Sequence, residues 1–383
     1  MGKALLTGLL ALVVGLGATT SLLTGVGQAG TSHSGAPTTS GADQVAGPHA
    51  KAGKKRAKKG HGKKAKKRHR VKKCAKGKRG AKCRAARRFG NPAARVTVGG
   101  GRWAGALDTT NLAAVNAAYK SEFASGARTP TGYTGNDQTC QAGTSSQESR
   151  TATLRALNFT RSLAGLTPVV FDAGLNQRAQ QTALMMSANG ALSHSPGSNW
   201  RCYTNVGAQT AGVSNLALAI PQITSAGMIE MYMDDRGASN IVVGHRRWFL
   251  NPFATVMGSG STDKANAIQV IGPSNPNNPN PAWVSWPTSN YFPAPLEPNG
   301  RWSLSAGHGG ADFSAAQIAM AGPQGPISVT RFAPKNGYAQ PTLVWDVNTN
   351  LDPNSTYYVS VSNIKVGDGR TSYSYAVQLF QPN

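Results

Sequence analysis

Two histidines outside the basic N-terminal part of the chain have the types and positions needed to share one site. His194 lies in the segment ALSHSP and His245 lies in VVGHRRWFLNP, and each follows a predicted helix. Imidazole is the commonest metal ligand and a general base near neutral pH. If the two helix ends converge, the pair lines a cleft suited to a divalent cation or a proton transfer. The alternative is that each ring is buried and hydrogen-bonded separately.

Motifs for hydrolysis are missing from the sequence. It contains neither a GxSxG nucleophile elbow nor an HExxH metalloprotease motif. Ser193 is adjacent to His194, and side chains adjacent in sequence rarely form a nucleophile–base pair. A triad of Ser214, a histidine and Asp235 can be drawn, but a serine-rich chain offers many such triads. The residues therefore favour binding over catalysis.

Hydrophobic periodicity predicts the helices that would position these residues. Apolar side chains recur at intervals of three and four in four segments, and Asp172 and Gly190 have the types expected at the two ends of one of them. Ser145 with Glu148 has capping-box spacing at the start of another. The predicted helices cover residues 111–123, 147–163, 173–188 and 222–235.

Beyond Pro252 the pattern changes from helical to extended. Residues 253–261 and 265–272 predict a hairpin, and the Pro/Asn-rich connector 273–282 marks a domain boundary. Short alternating segments after it predict a small β-sandwich. An aromatic cluster in this part could form its core or a carbohydrate-stacking surface, and the core is the favoured interpretation. The cluster comprises Trp283, Trp286, Tyr291, Phe292 and Trp302.

The charge of the chain is concentrated near its N-terminus. The formal net charge is +25, and residues 51–88 contain 21 Lys and Arg with no Asp or Glu, which leaves a net charge near +4 elsewhere. A segment this polar cannot bury enough apolar surface to offset its chain entropy, so we expect disorder. Its expected partner is an anionic cell-envelope polymer or membrane surface. Aromatic residues are absent from the run, which argues against specific nucleic-acid binding.

The first residues have the features of an export signal. An apolar run of about 15 residues follows Lys3, shorter than the about 20 needed to span a membrane. We predict a signal peptide (1–29), a disordered basic tail (30–95), a helical domain with an N-terminal extension (103–272) and a β-sandwich domain (280–383). The protein is expected to be secreted and either extracellular or attached to the cell envelope.

Four cysteines are expected to form disulfides in an exported chain. They allow three pairings, and spacing alone does not choose among them. We expect Cys74–Cys83 and Cys140–Cys202, because each pair lies within one region of the chain.

Two ordered blocks of residues resemble the CAP superfamily, which comprises cysteine-rich secretory proteins, antigen 5 and pathogenesis-related proteins, and in particular its bacterial secreted members. The first block, 154–194, matches the family's opening pattern through nine positions, and the second, 232–258, matches its "GHR" segment through six. The matching positions are Asn158, Arg161, Gly165, Leu166, Leu175, Ala179, Ala183, Met186 and His194, then Gly244, His245, Arg246, Leu250, Pro252 and Gly258.

The resemblance implies an α+β fold, an α-β-α sandwich with a central cleft lined by two histidines and two acidic residues. His194 and His245 match the two histidines. Ser214 falls where the family has glutamate, and Asp235 falls at the second acid, with Glu230 one helical turn earlier as the alternative. A neutral serine at the first position predicts weak binding of zinc or another divalent cation.

These observations together favour a non-enzymatic binding protein. Its cleft would take an unidentified small or extended ligand, lipid or peptide-like, while the basic tail holds it at an anionic surface. Two alternatives remain open: a hydrolase acting on envelope peptides or esters, and a polyanion-binding scaffold in which the tail carries the function.

Overall fold

The computed structural model describes residues 10–14, 102–220, 222–238 and 240–383. All of them belong to one unit, Met1–Ala18 with Ala81–Asn383, and the second unit, Thr19–Gly80, lies outside the described residues. The predicted basic tail and the predicted Cys74–Cys83 disulfide therefore also lie outside them. Within the described residues, no helix combines the length and apolar character needed to cross a membrane.

Six α-helices occur in the part of the chain that the structure describes. The first continues into a π-helical turn, Tyr119–Phe123, and a 3-10 turn, Ala124–Gly126. The helices are α1 (Leu112–Ala118), α2 (Gln147–Leu163), α3 (Ala173–Asn189), α4 (Asn205–Ala211), α5 (Ser225–Asp234) and α6 (Gly244–Phe249).

The ends of the two long helices follow from their capping residues. The α3 helix begins after Asp172, whose side chain accepts a hydrogen bond from Leu175 N, and ends at the left-handed Gly190 (φ 57°). The cap of α2 differs from the expected one by a residue, because Ser146 rather than Ser145 accepts from Ser149 N. The helix predicted from residue 222 begins only at Ser225, since Thr224 is extended.

Five strands form the first sheet, in the order β1-β3-β5-β4-β2. The β2 strand runs parallel to β4, and the other neighbours are antiparallel. The β1 strand lies within the segment predicted as a signal peptide. The strands are β1 (Leu10–Val14), β2 (Val170–Phe171), β3 (Ser214–Ile220), β4 (Val256–Ser261) and β5 (Ala265–Gln269).

Helices cover both faces of this sheet. Along β3, Ala217 and Ala219 belong to the core that includes α2 and α5, whereas Leu216 packs with Ala183 and Met186 of α3. This alternation follows from the two-residue period of a strand. The β4 strand carries Gly258 and Gly260, where an added Cβ would overlap the α3 backbone at Leu175–Asn176 and at Gln180. Glycine at these positions therefore allows α3 to lie directly on the sheet.

Residues from 283 onward form strands and one 3-10 turn, Ala294–Leu296, in two sheets. A four-stranded sheet has the order β12-β13-β8-β6, and a second sheet has the order β11-β10-β14-β15-β7, with β9 paired to β14. The strands are β6 (Trp283–Trp286), β7 (Asn290–Pro293), β8 (Arg301–Ala306), β9 (Ala311–Asp312), β10 (Gln317–Gly322), β11 (Gly325–Ile327), β12 (Val329–Arg331), β13 (Thr342–Val347), β14 (Thr356–Val366) and β15 (Gly369–Phe380).

The aromatic cluster of this region is its interior. Trp286, Phe292 and Trp302 have no exposed surface. The Trp302 ring contacts Tyr357 of the opposite sheet edge-to-face, with ring centroids 6.3 Å apart. Contacts of this kind hold the two sheets together. The core interpretation is thus confirmed for these side chains, and they are not a carbohydrate-stacking surface.

Candidate functional site

His245 and Asp235 form a buried pair. Asp235 follows the last residue of α5 and adopts a left-handed conformation (φ 46°), which turns its side chain toward the start of α6. Its Oδ1 lies 2.7 Å from His245 Nδ1, and its Oδ2 accepts hydrogen bonds from the backbone N–H groups of His245 (2.9 Å) and Arg246 (3.3 Å). Both side chains are fully withdrawn from solvent. The carboxylate therefore fixes both the imidazole and the helix turn that carries it.

Polar and aromatic groups complete the surroundings of His245. The Tyr232 ring lies 5.2 Å from the imidazole, centroid to centroid, and its hydroxyl donates to Asn266 Oδ1 at 2.9 Å. Asn215 Nδ2 donates to the carbonyl oxygen of His245 at 3.1 Å. His245 is thus buried among hydrogen-bonding groups, and its position is held from three directions.

His194 lies in the loop after α3 and is half-buried. Its Nδ1 is 2.8 Å from the carbonyl oxygen of Ala211, the last residue of α4. Four residues further along the same segment, Asn215 bonds to His245. Both histidines are therefore tied to residues 211–215. Convergence of the two histidines at one site stays a prediction, and of the two rings His194 reaches solvent while His245 does not.

Ser214 has no role as a base or nucleophile in this arrangement. It is fully buried, and its hydroxyl donates to the carbonyl oxygen of Thr210 at 2.7 Å. A hydroxyl whose proton is committed to a backbone carbonyl is not positioned to transfer it to an imidazole. The geometry argues against a triad of Ser214, a histidine and Asp235.

Glu230 lines a separate cleft of about 590 Å³, whose described lining includes neither histidine. The cleft also contains Asp234 and Glu297. Although Glu230 is accessible to solvent, the reduced hydration of this concave position, together with the charge of Asp234, raises the pKa of Glu230 to about 7. Burial also raises the pKa values of Asp234 and Glu297. Of the two candidate acids, Asp235 is the one that contacts a histidine.

The donor set near the histidines does not fit a tightly held metal. Within the described residues, no three His, Cys, Asp or Glu side chains are grouped as metal ligands. Asp235 uses both oxygens on His245 and Arg246, so it orients the imidazole and does not face a cation. A structural zinc site usually has three or four protein ligands, and no such group occurs among the described residues. Weak binding of a divalent cation stays a prediction.

Two arginines after His245 tie α6 to the β region, a role that the sequence reasoning missed. The Arg246 guanidinium donates to the carbonyls of Met233 (2.7 Å), Asp234 (2.7 Å) and Arg301 (2.8 Å). Arg247 donates to the carbonyls of Lys335, Tyr338 and Gln340 at 2.7–3.0 Å. The sequence did contain a signal for this role: two adjacent arginines lie in the apolar segment VVGHRRWFL. Arginines buried in such a segment need acceptors for several N–H donors, which indicates contacts with backbone carbonyls.

Arg161, matched to the family pattern, is also structural. It is fully buried, and its guanidinium donates to the carbonyls of Thr167, Phe249 and Ala254, among others. Burial lowers its pKa to about 9. It holds the segment after α6 against α2.

Cys140 and Cys202 form the predicted disulfide, with Cα atoms 5.0 Å apart. The neighbouring Arg201 donates to the carbonyl oxygen of Asp137 and to Gln138 Oε1. The loop before α2 is thereby fixed to the loop that follows His194.

The fold is α+β, and the two histidines lie in ordered blocks of the CAP type. Residues 154–270 match the model of the CAP family, described as the cysteine-rich secretory protein family. The resemblance seen in the sequence is confirmed over this range.

Comparison with curated proteins gives no match. Among solved structures, selenomethionine PcoC, a copper resistance protein from Escherichia coli, is similar to 25% of this chain and 94% of its own, with 15% sequence identity and a TM-score of 0.20. A likeness this distant indicates nothing about metal binding or function here.

Proposed function

We propose that the chain is an exported, non-enzymatic CAP-domain protein that binds a small or extended ligand, lipid or peptide-like, beside His194. The observation that carries the proposal is the different setting of the two histidines. The buried Asp235 holds His245 rigidly, while His194 is half-buried and anchored through Nδ1 to Ala211. A fixed His245 and a half-buried, anchored His194 support recognition, because little ordering of these side chains is needed on binding.

Two further observations support binding over hydrolysis. The proton of Ser214 is committed to the Thr210 carbonyl, and the carboxylate expected at this position in the family is replaced by that neutral hydroxyl. His245 also has no exposed surface through which to meet a substrate. Among the described residues, neither Ser214 nor His245 therefore supports the hydrolase alternative.

Palmitate and a neutral tripeptide, each titrated into the purified protein, test this site. We expect one of the two to bind, and His194→Ala to weaken that binding at least tenfold. His308→Ala, which changes an exposed histidine in the β region, is the matched control and should bind as the wild type does. The proposal would be overturned if His194→Ala bound palmitate and the tripeptide as the wild type does. It would also be overturned if the wild type hydrolysed ester or peptide substrates and His194→Ala did not.

We further propose that residues 51–88 hold the protein at an anionic envelope surface. The charge of this segment supports the idea, since 21 cationic side chains attract a polyanion in a salt-dependent way. Full-length protein should sediment with phosphatidylglycerol vesicles at low salt and much less at high salt. A chain lacking residues 30–95 should remain in the supernatant, and neutral phosphatidylcholine vesicles should retain neither form. Equal sedimentation of the truncated chain would contradict a role of the tail.

A further inference from the structure

A second groove is lined by none of the residues considered above for the histidine site. It has a volume of about 640 Å³ and lies between the N-terminal halves of α2 and α3, with residues 142–145 and Ser259 completing its wall. This volume falls within the range of small-ligand sites, roughly 300–1,000 Å³. Neither His194 nor His245 is among its described lining residues.

The lining has an unusual chemistry for its size. No Asp or Glu occurs among the described residues that line it, and the polar side chains are amides, hydroxyls and two guanidiniums. The amides include Gln147, Asn176, Gln177 and Gln181. Amide and hydroxyl groups both donate and accept hydrogen bonds, so they match ligands that carry many hydroxyl groups.

The two guanidiniums are not equivalent. Arg155 is neutralised by Glu122, with Nε 2.9 Å from Oε2. Arg150 donates instead to neutral acceptors, the carbonyl oxygen of Ser145 and Gln147 Oε1 (3.0 Å). These bonds hold the guanidinium on the wall without cancelling its charge. The groove therefore favours a ligand with a negative group near Arg150.

The wall of the groove is fixed before any ligand arrives. The buried Gln180 donates to the carbonyls of Ala142 and Ser261 and accepts from Ser261 N. Asn176 Oδ1 accepts from Ser259 N at 2.8 Å. The disulfide at Cys140 holds the start of the same segment. A preorganised wall lowers the entropy lost on binding.

Two half-buried apolar side chains, Leu154 and Phe171, also line the groove. An aromatic ring among amide and hydroxyl groups offers a surface for the C–H face of a sugar ring. So few apolar side chains would not bury an acyl chain, and one uncompensated cation is too few for a nucleic-acid backbone.

We propose that this groove binds a short acidic oligosaccharide, with a sugar carboxylate at Arg150 and sugar hydroxyls at the amide side chains. The site is independent of the histidine cleft and of the basic tail. Its ligand would be a uronate-type glycan of the kind found in extracellular polymers.

Isothermal titration of the folded protein with trigalacturonate and with uncharged maltotriose tests the site. We expect trigalacturonate to bind at least tenfold more tightly than maltotriose. Arg150→Gln should remove that preference, and Gln177→Ala, an exposed position, should weaken binding of trigalacturonate severalfold without affecting the fold. Arg178→Gln, an exposed cation on α3 outside the lining, is the control for general charge effects and should leave binding unchanged.

His194→Ala should also leave this binding unchanged, which separates the groove from the proposed histidine site. The proposal is overturned if neither sugar binds, if both bind equally well, or if Arg150→Gln and Arg178→Gln weaken trigalacturonate binding to the same extent. Circular dichroism of each variant verifies that the fold is intact.

Discussion

The side chain of Asp235 contacts three nitrogen atoms: Nδ1 of the His245 ring and the backbone N–H groups of His245 and Arg246, the second and third residues of α6. Its Oδ1 is 2.7 Å from His245 Nδ1, and its Oδ2 receives the amides of His245 and Arg246. One side chain thus positions a ring and starts a helix. The backbone at Asp235 is left-handed, a conformation that Asn and Asp tolerate better than Ala.

Asp235→Ala should therefore lower the free energy of unfolding by about 3 kcal/mol, because three buried donors lose their acceptor and the backbone becomes strained. Asp235→Asn keeps one acceptor oxygen and the backbone preference, so it should cost less. Urea unfolding measures both. Asp368→Asn, in an exposed hairpin turn, is the control and should change stability by less than about 0.5 kcal/mol. Equal stability of Asp235→Ala and the wild type would contradict this role.

Arg246→Lys should destabilise the protein by about 3 kcal/mol, although the charge is conserved. A single ammonium cannot replace a planar guanidinium that reaches carbonyls on α5 and on Arg301 at once. Chemical denaturation followed by tryptophan fluorescence measures the loss. Arg178→Lys, exposed on α3, should be neutral. A similarly small effect at both positions would show that Arg246 does not join the two regions.

The acidic cleft should make stability depend on pH. The reduced hydration of the cleft and the charge of Asp234 raise the pKa of Glu230 from its ordinary value of 4.5 to about 7, although the side chain is exposed. The unfolded chain therefore releases this proton at lower pH than the folded one. The stabilising contribution is complete below about pH 4.5 and is lost as the pH rises through about 7.

Glu230→Gln should accordingly match the wild type near pH 4.5 and be more stable at pH 8. Urea unfolding at the two pH values makes the comparison. Part of the pH dependence should persist, because Asp234 and Glu297 also have raised pKa values in this cleft. Glu148→Gln, at an exposed position on α2, is the control. A variant that loses stability at pH 8 would contradict the assignment.

Removing the disulfide with Cys140→Ser and Cys202→Ser together should cost about 4 kcal/mol under the chain-entropy model, since the bridge closes a loop with a sequence separation of 62. Thermal unfolding of this double variant against the oxidised wild type measures the change. Reduction of the wild type should reproduce it. A loss below about 1 kcal/mol would show that the loop stays ordered through Arg201 alone.

The helices and the candidate acid were predictable because local signals agreed with the final structure. The α3 helix carries its own cap at Asp172 and its own stop at Gly190, and both long helices were predicted within a residue or two of their ends. The family pattern placed Asp235, with Glu230 as the alternative, near the histidines, but it did not specify that Asp235 pairs with His245. That contact depends on a left-handed turn at Asp235 that the residue types alone do not specify.

Other features depend on contacts between segments that are distant in sequence, so local sequence patterns did not predict them. The short helices α4 and α6 are stabilised by tertiary packing, and the N-cap residue of α6, Val243, makes no side-chain capping bond, so the acceptor for the first turn comes from Asp235. The position of α3, which forms one wall of the groove, depends on Gly258 and Gly260, where an added Cβ would overlap the helix backbone. The role of Arg247 depends on carbonyls nearly ninety positions further along the chain.

Three consecutive residues of α6 make tertiary contacts. His245 contacts Asp235, and Arg246 and Arg247 donate to backbone carbonyls of the β region. A truncation that kept only the family-matched residues 154–270 would remove the carbonyl acceptors of Arg247 and the Arg301 acceptor of Arg246. Such a fragment is a poor choice for expression or crystallisation. Substitutions near residues 301 or 338 would also disturb the contact between His245 and Asp235, because they alter the acceptors of the two adjacent arginines.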